Sequence, residues 1–131
     1  MMIKIGPSLN LSRLEATQSK LIAGSGSLKV DVYVGVQPEQ PGGSHTSDLC
    51  ATVQINKANT VIDSGVLKLF PSDVGMVQVT GTPTWSRVTN GEGHLMFDCS
   101  VGVAGSGADL TLSTAVVYAG ANLGLQNFEL T

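Results

Sequence analysis

Charge is scarce in this chain: only 13% of its 131 residues are Asp, Glu, Lys or Arg, against roughly 25% in ordinary domains. The seven cations, Lys4, Arg13, Lys20, Lys29, Lys57, Lys68 and Arg87, stand singly. Binding to phosphate backbones needs several cations together, so the composition argues against nucleic acid as a partner. Aromatic residues make up 5%, with one tryptophan, Trp85. No apolar run reaches the ~18 residues of a membrane span, so no membrane insertion is expected. The N-terminus has no signal-peptide core, because Gly6-Pro7-Ser8 interrupts it. The expectation is synthesis in a cytoplasm without secretion through a signal peptide. Cysteine is limited to Cys50 and Cys99, at no metal-ligand spacing. They fall on opposite phases of their strands, which argues against a disulfide between them.

Catalytic motifs are missing too. No GxGxxG follows a strand, and there is no GxSxG. His45 and His94 could each meet an aspartate, Asp48 or Asp98, but serines are so common here that a Ser, His and Asp together carry no signal. His94, Asp98 and Asp109 could share a sheet face, yet strand residues four apart lie ~13 Å from each other. That is too far for one metal shell. We therefore expect no catalytic residue, no metal, no cofactor and no enzymatic activity.

What is present is β-structure with turns. Sixteen glycines, together with many Ser, Thr, Val and Leu residues, favour strands. The most ordered stretch runs from Trp85 to Leu112. Asn90-Gly91 predicts a tight turn with positive φ, followed by slack at Gly93. Beyond it Leu95, Phe97, Cys99 and Val101 alternate on one face, giving a core strand. Gly102–Gly107 breaks the run and Leu110–Leu112 resumes it. Trp85 reads as a core residue, with a stacking platform as the alternative.

The remaining chain follows in order. Residues 1–7 read as an extended arm with Ile3 and Ile5 in phase, ended by Pro7. Ser12 to Glu15 fits a capping box, and a helix is expected over about 12–23, with Leu14, Leu21 and Ile22 on its apolar stripe and Gly24 as its stop. Leu28 to Val34 alternates with Val30 and Val32 inward. Residues 37–47, with Gln37, Pro38, Pro41, Gly42 and His45, read as a long exposed loop suited to variable contacts. His45 reads as a solvated loop histidine. Leu49, Ala51, Val53 and Ile55 form the next strand. Residues 56–64 read as polar and turn-like, 66–70 as a short strand and 76–80 as another. In the last strand Leu123 and Leu125 are out of phase with Phe128 and Leu130, which predicts a β-bulge near Gln126-Asn127. The predicted fold is all-β: an antiparallel β-sandwich or small barrel with one short N-terminal helix. It consists of the arm, 1–7, and a single β domain, 8–131. The expected core contains Leu14, Val30, Val32, Val53, Trp85, Leu95, Phe97 and Val101.

Several motifs in this order resemble a known family. They are the RLEAT helix core, the Pro/Gly loop, the G-T-x-x-W-x-R segment (Gly81, Thr82, Trp85 and Arg87) and the S-G-A-D-L-x-L element, Ser106 to Leu112. Together they cover nearly the whole chain and resemble a family of small proteins encoded by tailed bacteriophages and prophages, among the virion structural genes. The chain departs from that pattern between Ile55 and Val66, where it is shorter and more polar, so a contact surface carried there in relatives is not expected here. The resemblance implies a virion structural subunit, tail- or fibre-associated or capsid-decorating, made in a host bacterial cytoplasm. Its partners would be copies of itself and other virion proteins, with Ile3, Ile5 and the 37–47 loop at interfaces. The alternative is a carbohydrate-binding or host-recognition module with an exposed aromatic platform at Trp85, Tyr33 or Tyr118.

Overall fold

Proline and glycine set the first element. In the computed structural model, which describes residues 3–126 and 128–130, Gly6 is the extended N-cap and Pro7 opens helix α1, Pro7–Leu21. A proline in the first turn loses nothing, because its missing N–H would have no helical partner there. The helix therefore starts five residues before the expected capping box, and Ser12 lies inside it. Pro7 begins the helix instead of merely ending the arm. Leu14 and Leu21 are buried, while Ile22 is half-buried and caps the C-terminus. The arm is thereby shortened to the residues before Pro7, and Met1 and Met2 lie outside the described residues.

The strands in chain order are β1 (Leu28–Val34), β2 (Asp48–Ile55), β3 (Val61–Asp63), β4 (Val66–Leu69), β5 (Gly75–Met76), β6 (Trp85–Thr89), β7 (Leu95–Val103), β8 (Leu110–Leu112), β9 (Asn122–Leu123) and β10 (Phe128–Leu130). They form a five-stranded sheet ordered β2-β1-β6-β7-β8, a three-stranded sheet ordered β10-β4-β3 and a two-stranded pair, β5-β9. The architecture is β-rich with one short helix. The large sheet is mixed, because β8 runs parallel to β7. The segment expected as turn-like contains β3, and the strand expected over 76–80 pairs only at Gly75–Met76. The bulge anticipated near Gln126-Asn127 involves Asn127, which lies outside the described residues.

Two irregularities decide which side chains face inward. Val32 pairs with Ala51 and Tyr33 with Leu49, which leaves Cys50 unpaired in a bulge. Cys50 is thereby buried against the expected polar phase. Val88 pairs with Phe97 and Thr89 with Leu95, which leaves Met96 unpaired. This second bulge reverses the phase at the start of β7. Leu95, expected in the core, is 37% exposed, and Phe97 is half-buried at the core's edge. Cys99 and Val101 keep the expected inward face.

One apolar cluster joins the large sheet's inner face (Val30, Val32, Val53, Val88, Val101) to Leu67, Leu69 and Phe128 of the small sheet and to Leu14 and Leu21 of α1. Phe97 meets Phe128 edge to face, with centroids 5.6 Å apart. Asn90 links the helix to the sheet. Its buried side chain donates to the Lys20 carbonyl and accepts from the amides of Glu92 and His94. The turn after β6 is thus built on the Asn90 side chain. The positive φ falls at Gly93, not at the expected Asn90-Gly91.

Candidate functional site

Trp85 is fully buried, yet it lies outside the apolar cluster. Alternation along β6 sends Ser86 and Val88 inward, so Trp85 and Arg87 share the opposite face. Register brings Tyr33 opposite Trp85 and Asp98 opposite Arg87. The Tyr33 and Trp85 rings stack at 4.5 Å and 16°. His45 sets an edge contact with each, at 4.7 Å and 5.0 Å. The Arg87 guanidinium lies 5.3 Å from the indole centroid. What buries the indole is the 37–47 loop folding over this outer face.

Polar groups hold the loop down. Arg87 donates twice to the Asp98 carboxylate, at 2.8 and 3.1 Å, and once to the Gly43 carbonyl at 3.0 Å. Asp98 accepts a further bond from the Gly42 amide at 3.2 Å. The indole Nε1 donates to Ser47 Oγ at 2.9 Å, and the Ser47 amide donates to His45 Nδ1 at 3.1 Å. The hydrogen bond to Asp98 raises the Arg87 pKa further. Burial raises the Tyr33 pKa, with the Asp31 charge adding to it. Gly42 has φ +77°, a left-handed backbone that favours glycine where the loop's amide reaches Asp98.

This arrangement consumes its own functional groups. His45 is half-buried in an aromatic box and uses Nδ1 for the Ser47 amide, so it is not the solvated histidine expected. Ser47 Oγ is engaged by Trp85, and Asp98 by Arg87 and Gly42. Asp109 accepts from the Ser100 amide and hydroxyl at 3.2 and 3.1 Å, and His94 is exposed. Among the described residues no three His, Cys, Asp or Glu side chains converge on a possible metal position. Burial pushes the Cys99 thiol up to about 11 and raises Cys50 as well, which keeps both protonated and unreactive near neutral pH. Both thiols are free. No helix of the described residues is long and apolar enough to cross a membrane.

The arm presents the opposite picture. Ile3 is 83% exposed and Ile5 48%, and Leu9 and Leu11 of α1 are exposed as well. Ile5, Pro7, Leu11 and Ile62 line a groove of about 540 Å³ that ends at Ser64 and Gly65. Of the loop residues expected at interfaces, Gln37, Pro41 and Gly42 are exposed, while Pro38 and His45 are half-buried. Sequence reasoning missed the clamp residues Tyr33, Arg87, Asp98 and Ser47, whose convergence depends on strand register. It also missed Ile62, which reads from the sequence as part of a turn.

No family model, curated protein or solved structure matches this chain.

Proposed function

We propose that the protein is a non-enzymatic structural subunit of a bacteriophage virion, tail- or fibre-associated or capsid-decorating. It acts through contacts with copies of itself and with other virion proteins, after synthesis in the host bacterial cytoplasm. Its β body is a sandwich in which the small sheet and α1 close over the large one. The observation that carries this reading is the groove where the exposed aliphatic side chains Ile5 and Leu11 meet Ile62, with Ile3 bare ahead of it. Exposed apolar groups gathered in one place, unlike scattered ones, mark a contact surface. The low surface charge acts in the same direction, because little repulsion opposes association.

Burial of Trp85 favours this reading over carbohydrate recognition. Sugar stacking needs an open aromatic face, and the indole is covered by Tyr33 on one side and the loop around it. Tyr118 is exposed but stands apart from that cluster. The test is the mass of the purified chain in solution, with and without residues 1–6. The full chain should assemble and the shortened chain should be smaller, with its β body intact. If both stayed monomeric across the accessible concentration range, the reading would be wrong.

A further inference from the structure

The small sheet ends at β3, which has no strand on its outer side among the described residues. We propose that this edge is the docking site for residues 3–6 of a second copy of the chain, reciprocally in a two-fold dimer. The proposal rests on the assembly reading above and names the surface and register that assembly would use.

The hairpin geometry supplies the hydrogen-bonding groups. β3 and β4 are joined by the two-residue turn Ser64-Gly65, with φ +52° and +79°. In such a hairpin the flanking residues, Asp63 and Val66, exchange both backbone bonds, and the pattern alternates along the strand. Ile62 therefore points its N–H and C=O to the open edge. The arm has the matching requirement: Ile5 stands just ahead of the extended Gly6, and among the described residues its N–H and C=O make no backbone hydrogen bond. An antiparallel ladder with Ile5 opposite Ile62 satisfies both residues at once.

Side chains select that register. With Ile5 opposite Ile62, Lys4 falls opposite Asp63 and Ile3 beside the Ser64-Gly65 turn. The pair Lys4/Asp63 occupies a non-hydrogen-bonded position, where opposed side chains approach most closely. The Asp63 side chain is 65% exposed; Ser64 Oγ donates to one of its oxygens at 3.2 Å and Lys68 sits at a distant 3.9 Å from the other, so the carboxylate has room for a second cation. Ile5 and Ile3 of the second copy would enter the groove lined by Ile62, Leu11 and the chain's own Ile5. A shift of one residue would put Lys4 into that apolar groove, and a shift of two would leave Asp63 without its cation. Parallel pairing with Ile5 beside Ile62 sets Lys4 against Val61 instead. Arm and edge adjoin on one surface, as a two-fold interface requires, so each copy gives an arm and receives one.

The test is charge exchange between chains, read as the dissociation constant by sedimentation. Lys4→Glu alone and Asp63→Lys alone should each weaken the homodimer on the order of tenfold, since each spoils two symmetry-related pairs. Mixing the two variants should restore the wild-type constant. One contact of the mixed dimer then pairs Glu with Lys in reversed order, and the other retains Lys4 with Asp63. Ile5→Pro, which removes the ladder N–H, should weaken association further, and Ile5→Val should leave it nearly unchanged. If wild type associates but the mixture does not recover and Ile5→Pro is silent, this edge is not the docking site, and assembly runs through another surface. If wild type stays monomeric, the docking proposal and the assembly reading fall together.

Discussion

The 37–47 loop and the N-terminal arm were expected to serve the same purpose, yet the fold treats them oppositely. The loop is polar and rich in glycine and proline, the composition of a free surface loop. It is nevertheless held to the sheet by a buried ion pair, an indole hydrogen bond and three packed rings. The arm is aliphatic, the composition of a buried segment, and it lies bare. The difference lies in what each can satisfy within one chain. A polar loop finds partners one residue at a time, because each carbonyl can accept from a donor below and each amide can donate to an acceptor. An aliphatic arm needs a whole apolar surface, and here Ile5 finds only part of one beside Leu11 and Ile62. On the proposed function, another molecule supplies the surface that the arm lacks.

The largest test of that contrast is Trp85→Ala. If the loop and the indole belong to the folded body, emptying the site should cost about 3–5 kcal/mol in denaturant unfolding and leave the 37–47 loop open to proteolysis. A small loss would mean the loop is as dispensable as the arm. Phe97→Ala should cost less, roughly 2 kcal/mol, because that ring is only half-buried.

Arg87→Ala comes next. The Asp98 side chain is only 2% exposed, so removing its cation leaves a buried carboxylate with one amide donor, Gly42. Loss of one partner from such a pair costs about 3 kcal/mol or more. Arg87→Lys should recover only part of it, since an ammonium cannot make both carboxylate bonds and reach Gly43. Full recovery by lysine would show that charge alone, without the fork geometry, holds the loop.

Cys99 reports on the body beneath both segments. Its thiol is raised from an ordinary 9.0 to about 11, so the folded state favours the protonated form. That contribution is complete below pH 9 and is lost as pH climbs toward 11, a decline of about 2–3 kcal/mol. Alkylation at pH 8 should be slow in wild type and faster in the Trp85→Ala variant. It should be unchanged when residues 1–6 are removed. Acceleration by the truncation would mean the arm supports its own body.

The smallest expected effect is on the arm itself. Deleting residues 1–6 should move the unfolding free energy of the monomer by no more than about 1 kcal/mol, because Ile3 and Ile5 are exposed and the backbone bond lost is that of the Gly6 carbonyl with the Asn10 amide. A loss of several kcal/mol would place the arm among the stabilising elements and remove its contrast with the loop.

Much of the local structure was legible in advance. Strong alternation placed β1 and β2 nearly to the residue, and the helix was visible from its Leu14/Leu21 spacing. Its start was misplaced because a serine and a glutamate three apart looked like a cap, whereas Pro7 provided an earlier start. The turn after β6 was anticipated at the right place with the wrong residue at positive φ, because Asn90 works through its side chain, not through its backbone. The clamp was not legible: Tyr33, His45, Arg87 and Asp98 are spread across the chain, and nothing local relates them.

By itself the sequence determined a β-rich chain, its helix, its low charge and the positions of most strands. These follow from period-two and helical patterns and from turn chemistry, all of which act over a few neighbouring residues. Only the tertiary structure decided which face of β6 is the core, that Trp85 lies on the other face, and that Leu95 is turned outward. Alternation has two phases of equal standing, and one unpaired residue exchanges them. The bulges at Cys50 and Met96 make that exchange, and strand pairing, which is not local, sets where they fall.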